Sequence, residues 1–175
     1  MVEKVIFSGF GGQGILTAGL LLAEAAIQEN LEATFYPSYG AEMRGGTANC
    51  HVIISDRTIA LPIIELADTL VAFNLPSMKK FSNKIVKNGI LLFNSEEKIN
   101  INDTISILNI PAEKYALQNL GSTKVANVIM LGAFIKYKSI LSIESLKKSI
   151  KKMFASKNED IIELNYKALN FGYSL

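Results

Sequence analysis

A glycine-rich turn lies between a short apolar strand and a long apolar helix at the beginning of the sequence. Residues 4–8 (Lys-Val-Ile-Phe-Ser) are an apolar run typical of a buried strand. Residues 14–28 have an apolar helical pattern, broken before Gln28 only by Thr17 and Glu24. Between them stands Gly-Phe-Gly-Gly-Gln-Gly. A buried strand, a glycine turn and a helix in this order constrain the fold to the α/β class.

The next part of the sequence continues to alternate between strand and helix patterns. Pro37 is expected to end the second strand, and Pro62 to begin a short helical segment. Asn88-Gly89 is the pattern of a tight turn. The predicted strands after the first cover residues 33–36, 47–55, 69–73, 90–93 and 105–110, and a helix is predicted at 76–87.

The sequence after Pro111 is predicted to be helical. Residues 125–135 are strongly apolar, and an apolar stripe at 143, 146, 150 and 153 lies opposite a face of lysines. Ser156 and Glu159 have the spacing of a capping box for a last helix. The whole pattern predicts an α/β fold with a Rossmann-like, doubly wound, mainly parallel sheet, helices on both faces and a helical C-terminal layer. Residues 1–175 are expected to form a single domain.

Composition favours a cytoplasmic subunit over a monomer. Apolar residues make up 49% of the 175 residues and charged residues only 19%. We therefore expect exposed apolar surface that another subunit buries. The helix at 14–28 is too short to cross a membrane and contains Glu24, and no export signal precedes the first strand. We therefore expect a cytoplasmic location and no membrane partner. Because that helix is apolar on all sides, a homodimer through it is one expected assembly.

Charge is distributed unevenly along the sequence. Residues 1–75 contain 3 basic and 8 acidic side chains, whereas residues 76–175 contain 15 basic and 8 acidic ones. Two interpretations stay open: solvated, lysine-lined helix faces, or a basic surface for an acidic or phosphorylated partner. Only two arginines and scattered aromatic residues argue against nucleic-acid binding.

Cys50 and His51 are the only cysteine and the only histidine. One thiol cannot form an intrachain disulfide, and the pair is too small for a zinc or iron–sulfur site, so we expect no metal on this chain. Neighbours on a strand point to opposite faces. Cys50 is therefore expected to be buried and inert, and His51 to lie on the wetter face of an antiparallel or edge strand. We assign a catalytic role to neither residue.

The first glycine loop matches the G-x-G-x-x-G pattern at Gly9, Gly11 and Gly14. Free N–H groups at the beginning of the helix, together with the helix dipole, favour an anion there. NAD binding is disfavoured because Tyr-Pro-Ser at 36–38 stands where an acidic residue would hold the ribose. A P-loop is excluded because Ile-Leu at 15–16 replaces Lys and Ser/Thr. A turn that only lets strand and helix pack closely is the remaining alternative.

A second glycine-rich segment, Tyr-Pro-Ser-Tyr-Gly-Ala-Glu-Met-Arg-Gly-Gly at 36–46, follows the second predicted strand. We expect it at the same edge of a parallel sheet as the first loop. Arg44 offers a planar fork for a carboxylate or phosphate, and Glu42 could pair with it, orient it or accept from a ligand amine. A surface ion pair of little consequence is the alternative. The candidate binding residues are Gly9, Gly11, Gly12, Gln13, Gly14, Thr17, Tyr36, Ser38, Glu42, Arg44, Gly45 and Gly46.

Both loops resemble those of a known family. Gly-Phe-Gly-Gly-Gln-Gly-Ile at 9–15 and Tyr-Pro-Ser-Tyr-Gly-Ala-Glu-Met-Arg-Gly-Gly-Thr-Ala-Asn-Cys at 36–50 are similar to the gamma subunit of 2-oxoacid:ferredoxin oxidoreductases. The Tyr-Gly-x-Glu-x-Arg-Gly-Gly-Thr-Ala form is most similar to the 2-oxoglutarate type, 2-oxoglutarate synthase. Pyruvate, branched-chain 2-oxoacid and indolepyruvate enzymes use related gamma chains. Beyond residue 75 the resemblance is one of pattern only.

The resemblance implies an enzyme complex with coenzyme A as co-substrate. Such a complex decarboxylates a 2-oxoacid on thiamine diphosphate, passes electrons through iron–sulfur clusters to ferredoxin and transfers the acyl group to coenzyme A. The resemblance implies separate alpha, beta and delta subunits, with thiamine diphosphate on beta and the clusters on beta or delta. It also implies that the isolated gamma chain is inactive. Both loops would then serve the coenzyme A side or a subunit contact. The residues alone also leave open a stand-alone NAD- or flavin-binding protein and a non-catalytic scaffold.

Overall fold

The computed structural model describes residues 1–39, 47–101 and 103–175. All six strands lie in the first two thirds of the chain, interrupted by two helices, and the remaining helices follow one another after the last strand. The strands are β1 (Val2–Phe10), β2 (Glu32–Tyr39), β3 (Thr47–Ser55), β4 (Ala67–Ala72), β5 (Ile85–Phe93) and β6 (Ser106–Asn109). The helices are α1 (Ile15–Gln28), α2 (Leu75–Phe81), α3 (Ala112–Leu120), α4 (Ala126–Lys138), α5 (Ile143–Met153) and α6 (Glu159–Ser174).

The six strands form one mixed, mostly parallel sheet in the order β2-β3-β1-β4-β5-β6. Strands β1, β4, β5 and β6 are parallel to one another, whereas β3 is antiparallel to both of its neighbours. The predicted α/β fold with a mainly parallel sheet is confirmed. The near-continuous burial of β3 arises because both faces of the sheet are covered at this strand: Cys50 and Val52 belong to the core on one face, and Ile53 to the core on the other.

Helices lie on both faces of the sheet, as predicted, but very unequally. The larger apolar core joins one face of the sheet to α1, α3, α4, α5 and α6. The smaller core joins the other face to α2, which has only seven residues. Among the described residues, none of the helices is both long and apolar enough to cross a membrane.

Helix α1 is apolar on all sides because it lies between two layers of the same chain. One side packs on β1, β2 and β3, and the opposite side contacts α4 and α5. Its larger exposed apolar side chains are Leu20 and Ile27. The apolar pattern of α1 is thus explained within one chain, and a homodimer through this helix stays a prediction.

Most differences between the predicted and the observed boundaries of strands and helices occur at prolines and turn signals. Pro37 does not end β2, because β2 is an edge strand, where proline is tolerated. Pro62 begins no helix, and residues 56–66 form an irregular segment. Asn88-Gly89 lies inside β5, where Asn88 has φ +65° and the register with β4 shifts. The last helix is capped by Asn158, which accepts a hydrogen bond from the Asp160 N–H, rather than by Ser156.

Helices α4 and α6 approach each other most closely at two glycines. A Cβ on Gly172 would overlap the backbone oxygen of Ile129, and a Cβ on Gly132 would overlap the backbone oxygen of Leu169. The two helix backbones are therefore in direct contact at this crossing. Neither glycine was singled out from the sequence, because a glycine inside a helical pattern does not reveal which backbone it faces.

Candidate functional site

The crevice between the carboxyl ends of β1 and β4 is the topological switch point of this sheet. The two strands are parallel neighbours. The connection through α1 leads from β1 toward one edge of the sheet, and the connection through α2 leads from β4 toward the other. Ligands of open α/β sheets bind at such a point, beyond the carboxyl ends of the strands. The first glycine loop begins here, so the predicted site lies where the topology favours binding.

Gln13 is the centre of a hydrogen-bond network at this crevice. Its Oε1 accepts from the Phe10 backbone N–H at 2.7 Å and from Asn74 Nδ2 at 3.0 Å. Its Nε2 donates to Glu113 Oε1 at 2.9 Å and to the Phe73 carbonyl at 3.4 Å. One side chain thereby joins the end of β1, the end of β4 and the first turn of α3. Gln13 was predicted to bind a ligand. In this structure both polar atoms of its side-chain amide form hydrogen bonds within the chain.

Asn94 extends the same network to the end of β5. Its Nδ2 donates to the Phe73 carbonyl at 3.2 Å, and its Oδ1 accepts from the Glu113 backbone N–H at 3.3 Å. Asn74 also caps α2, since its Oδ1 accepts from the Ser77 N–H at 2.9 Å. The side-chain amides of Gln13, Asn74 and Asn94 therefore form the floor of the crevice, and the Glu113 carboxylate lies at its rim.

Sequence reasoning missed the partners of Gln13. A signal was nevertheless present, because a Phe-Asn dipeptide stands at the carboxyl end of both β4 and β5, at 73–74 and 93–94. Two parallel strands that end on the same dipeptide place equivalent amides at one edge of a sheet. Glu113 carried no such signal, because it is one acidic residue in the first turn of a helix.

Gln13→Leu is expected to lower the free energy of unfolding by about 1–3 kcal/mol, because it leaves a partly buried backbone N–H and the Asn74 amide without their acceptor. Chemical denaturation followed by far-UV circular dichroism measures this loss. Gln118→Leu, the same change at an exposed position of α3, is the matched control and should stay within about 0.5 kcal/mol of wild type. Equal effects of the two variants would contradict the structural role of the network.

Helix α1 begins at Gly14 without a side-chain cap. Gly14 has φ +73°, and the first turn of α1 contains no acidic residue. The Gly14 carbonyl accepts from Asn127 Nδ2 at 3.1 Å, and Asn127 Oδ1 is buried without a hydrogen-bond partner in the described part of the chain. The positive end of the helix dipole is thus not neutralised within its first turn, which favours an anion at this position.

The other glycines of the first loop differ in what they do. Gly9 is the penultimate residue of β1 and lies within the strand, and the turn lies at Gly11 and Gly12. A Cβ on Gly9 would lie 2.5 Å from Ile15 Cδ1 and 2.8 Å from Gln13 Oε1, so this glycine serves packing within the chain. Gly11 and Gly12 are exposed, and no heavy atom lies within 4 Å of the position of a Gly12 Cβ. The surface open to a ligand is therefore at Gly11 and Gly12.

Strand β2 ends and strand β3 begins at the same edge of the sheet as the first glycine loop. Ala48 pairs with Gly9 on one side and with Tyr39 on the other, so both of these strand ends lie beside the end of β1. The sheet between the loops is antiparallel, not parallel as expected, because β3 returns between β2 and β1. Glu42, Arg44, Gly45 and Gly46 lie outside the described residues.

Tyr36, Ser38 and Thr17 are not brought into one cavity by the described residues. Tyr36 is in register with His51, which pairs with Ile6 of the core under α2, and Ser38 is two residues further along the same face. Thr17 lies in the first turn of α1, on the opposite face. Because Ser38 and Thr17 lie on opposite faces of the sheet, they can contact one ligand only at its carboxyl edge. Tyr36 lies further from that edge.

Cys50 and His51 both have structural roles. Cys50 is fully buried, donates to the Ile15 carbonyl, and burial raises the pKa of its thiol to about 12. His51 is also buried, so the expected wetter face of β3 is wrong at this position. Its Nδ1 accepts from the Ile64 N–H at 2.9 Å, and burial, with the charge of Lys84, lowers its pKa. Neither side chain is available as a nucleophile or base.

A cleft of about 530 Å³ lies beside β6, at the opposite end of the strand order from β2. None of the predicted binding residues that the structure describes lines it. Asn109 contributes a buried Oδ1 that has no hydrogen-bond partner among the described residues. The cleft is lined by Lys98, Ile99, Ile107, Leu108, Asn109, Ile110, Tyr115, Tyr137 and Leu175.

Comparison with known proteins gives consistent results along the whole sequence. The family model described as pyruvate ferredoxin/flavodoxin oxidoreductase matches residues 4–175. The chain is 34% identical over 180 residues to the 2-oxoglutarate synthase subunit KorC of Methanocaldococcus jannaschii, covering 100% of this chain and 94% of the relative. It is 31% identical to the keto/oxoacid ferredoxin oxidoreductase gamma subunit from Geobacter sulfurreducens. The crystal structure of that subunit matches with a TM-score of 0.83, over 98% of this chain and 96% of that one.

One relative of higher identity is a much longer protein. The ketoisovalerate oxidoreductase subunit VorA of Methanothermobacter thermautotrophicus is 38% identical over 170 residues. The match covers 97% of this chain but only 35% of the relative. The chain therefore spans about a third of the length of VorA and nearly the full length of KorC.

Proposed function

Since the chain belongs to the pyruvate ferredoxin/flavodoxin oxidoreductase family and is of the gamma-subunit type, we propose that it is one subunit of a 2-oxoacid:ferredoxin oxidoreductase complex. Alpha, beta and delta subunits are the proposed partners. The observation that carries this proposal is the family match over residues 4–175 together with the nearly full-length match to a gamma subunit. Residues 1–175 are proposed to act as one gamma-type domain.

The proposed substrate of the complex is 2-oxoglutarate. Support comes from the Tyr-Gly-x-Glu-x-Arg-Gly-Gly-Thr-Ala form of the second loop and from KorC, a relative of matching length. A branched-chain 2-oxoacid is the second candidate, favoured by the 38% identity to a ketoisovalerate oxidoreductase subunit. Turnover of the purified complex with each of the two acids distinguishes these candidates.

Thiamine diphosphate and iron–sulfur clusters are proposed to lie on the partner subunits. Clusters are held by several cysteine thiolates, and the sequence contains one cysteine, buried and with a raised pKa. The donor set of this chain therefore does not fit a cluster, and no redox step is derived from its residues.

The role proposed for this chain is to bind coenzyme A at the carboxyl edge of the sheet. Coenzyme A is a polyanion, and the uncapped beginning of α1 lies at this edge beside exposed Gly11 and Gly12. The loop that contains Arg44 begins and ends at the same edge, one strand away from the first loop. A guanidinium there would hold a phosphate in a bidentate manner while the helix dipole acts on a second one. The chain's part in the reaction is thus to position a co-substrate.

Arg44→Ala is expected to raise the KM for coenzyme A about tenfold in the assembled complex, which corresponds to the loss of one charge-assisted contact. The rate of coenzyme A-independent 2-oxoacid decarboxylation should change little, because that step takes place on a partner. Steady-state kinetics with varied coenzyme A, together with release of labelled carbon dioxide, measures both quantities.

Arg57→Ala is the matched control, since the sequence has only these two arginines. Arg57 follows β3 at the opposite edge of the sheet and is highly exposed beside Asp56. Its replacement should leave the KM for coenzyme A unchanged. An unchanged KM in the Arg44 variant would contradict the proposed coenzyme A role, but not membership of the complex, which co-purification of the wild-type chain with its partners tests separately.

A further inference from the structure

The cleft beside β6 has no part in the proposed coenzyme A role. Its volume of about 530 Å³ is that of a site for a small molecule. In the strand order β6 is three strands away from β1, where the first glycine loop begins. Among the described strands β6 is the outermost on its side of the sheet. The cleft is therefore a second concave surface, at the edge of the sheet and away from the switch point.

The cleft reaches both faces of the sheet. Residues 107–110 all line it, although successive side chains of a strand point to opposite faces. Ile107 packs against the smaller core, and Leu108 packs against the larger one. The cleft thus passes around the outer edge of β6 from one face to the other. A ligand that fills it contacts groups on both sides of this strand.

Two aromatic rings line the cleft on the side of the larger core. Tyr115 of α3 packs against that core and makes an edge-to-face contact with Phe171, with ring centroids 5.5 Å apart. Tyr137 of α4 also lines the cleft and is 49% exposed. A ring that is held in place beside an exposed one favours a flat group of a ligand, which can stack or pack edge-on. This end of the cleft suits an aromatic base.

Asn109 supplies a buried hydrogen-bond acceptor from the strand itself. It is the last residue of β6 and lines the cleft. Its Oδ1 is buried and accepts no hydrogen bond from a described residue. A buried amide oxygen without a donor costs free energy, so a donor on a ligand would be favoured at this position. A hydroxyl group is such a donor.

Lys98 supplies a positive charge on the side of the smaller core. It precedes Ile99, which packs against that core, and both residues line the cleft. Lys98 is exposed and forms no ion pair with a described residue. Glu96 is paired with Lys114 instead, and Glu97 does not line the cleft. An ammonium group without a counterion at this end favours an anion such as a phosphate.

We propose that the cleft binds a nucleoside monophosphate. The base lies against Tyr115 and Tyr137, a ribose hydroxyl donates to Asn109 Oδ1, and the phosphate is near Lys98. This order follows the layers of the protein, because the tyrosines lie on helices over one face, the asparagine on the strand, and the lysine in the residues over the other face. An aromatic acid fits less well, because it has no hydroxyl between its ring and its charge. The site is separate from the one proposed for coenzyme A.

Isothermal titration calorimetry of the full chain with AMP tests this site, and one bound molecule per chain is expected. Asn109→Leu should weaken AMP binding about tenfold, which corresponds to one lost hydrogen bond. Lys98→Ala should weaken it about threefold, since the lysine is exposed. Asn170→Leu and Lys148→Ala are the matched controls at exposed positions outside the cleft, and they should leave the affinity unchanged. The melting temperature of each variant shows that the fold is retained.

Ligands that lack one group show which side chain contacts it. The 2′,3′-dideoxy form of AMP lacks both ribose hydroxyls, so it should bind the wild-type chain about tenfold more weakly than AMP. The Asn109→Leu variant should bind the two nucleotides equally. Adenosine lacks the phosphate, and Lys98→Ala should leave its affinity unchanged. An indirect effect of either substitution on the fold would weaken all of these ligands alike.

Three results would overturn the proposal. One is the absence of AMP binding to the wild-type chain even at millimolar concentration. Another is tighter binding of indole-3-acetate than of AMP, because it would assign the cleft to aromatic acids. The third is displacement of AMP by an equal concentration of coenzyme A. Arg44→Ala should leave AMP binding unchanged and Lys98→Ala should leave the KM for coenzyme A unchanged, so this proposal and the proposed function fail separately.

Discussion

Gly172→Ala is expected to lower the free energy of unfolding by about 3 kcal/mol or more. The added methyl group would overlap the backbone of Ile129, which cannot move aside as a flexible side chain can. Helices α4 and α6 would have to separate, and the core between them, which includes Ile129 and Leu169, would lose its close packing. Chemical denaturation followed by far-UV circular dichroism measures the loss.

Asn170→Ala is the control for this variant, because Asn170 is exposed in the same helix and its replacement should change the free energy of unfolding by less than about 0.5 kcal/mol. Gly132→Ala supplies a second check from the opposite helix. Once one methyl group has separated the helices, the second costs less, so the double variant should lose less than the sum of the single losses. Strict additivity would show that the two glycines do not share one contact.

Gly14→Ala is expected to lower the free energy of unfolding by about 2–3 kcal/mol. Its φ of +73° disfavours any residue with a Cβ, and that Cβ would lie 2.5 Å from Asn127 Nδ2 and 2.8 Å from Asn127 Cγ. Asn127 is buried in α4, so its displacement disturbs the hydrogen bond that it donates to the Gly14 carbonyl. The beginning of α1 would shift, and with it the proposed anion site.

Gly121→Ala is the matched control for Gly14→Ala. Gly121 has φ +71°, but no heavy atom lies within 4 Å of its Cβ position. Its replacement carries the backbone strain without the steric overlap, so the loss should be about 1 kcal/mol. The difference between the two variants measures the contact with Asn127. Equal losses would mean that Asn127 moves aside freely and that the beginning of α1 is not held by α4.

The strand–turn–helix unit at the beginning of the chain could be predicted from sequence because its signals are local. An apolar run of strand length, a glycine turn and a helix-period apolar segment each depend on neighbouring residues alone. The same holds for β4, α4 and α5, which lie close to their predicted ranges. Errors occurred where a local signal has a different meaning in context: Pro37 is tolerated because β2 is an edge strand, and Asn88-Gly89 is a bulge within β5.

Gln13 shows where prediction of the site reached its limit. The sequence placed this residue in a loop at the end of a strand, which is correct. Its partners Asn74 and Glu113 are 61 and 100 residues away in the sequence. Such contacts depend on which strands are neighbours, and no local pattern carries that information.

The sequence by itself determined the class of fold, the family resemblance and the two loops that border the proposed site, because glycine turns and apolar periods act over a few residues. Only the tertiary structure decided that β3 returns antiparallel between β2 and β1, that β1 and β4 form the switch point, and that one face of the sheet is covered by a single short helix and irregular segments. Strand order and layer thickness result from packing between distant segments. The free energy of that packing is a property of the whole chain, so no short stretch of sequence predicts the strand order or the layer thickness.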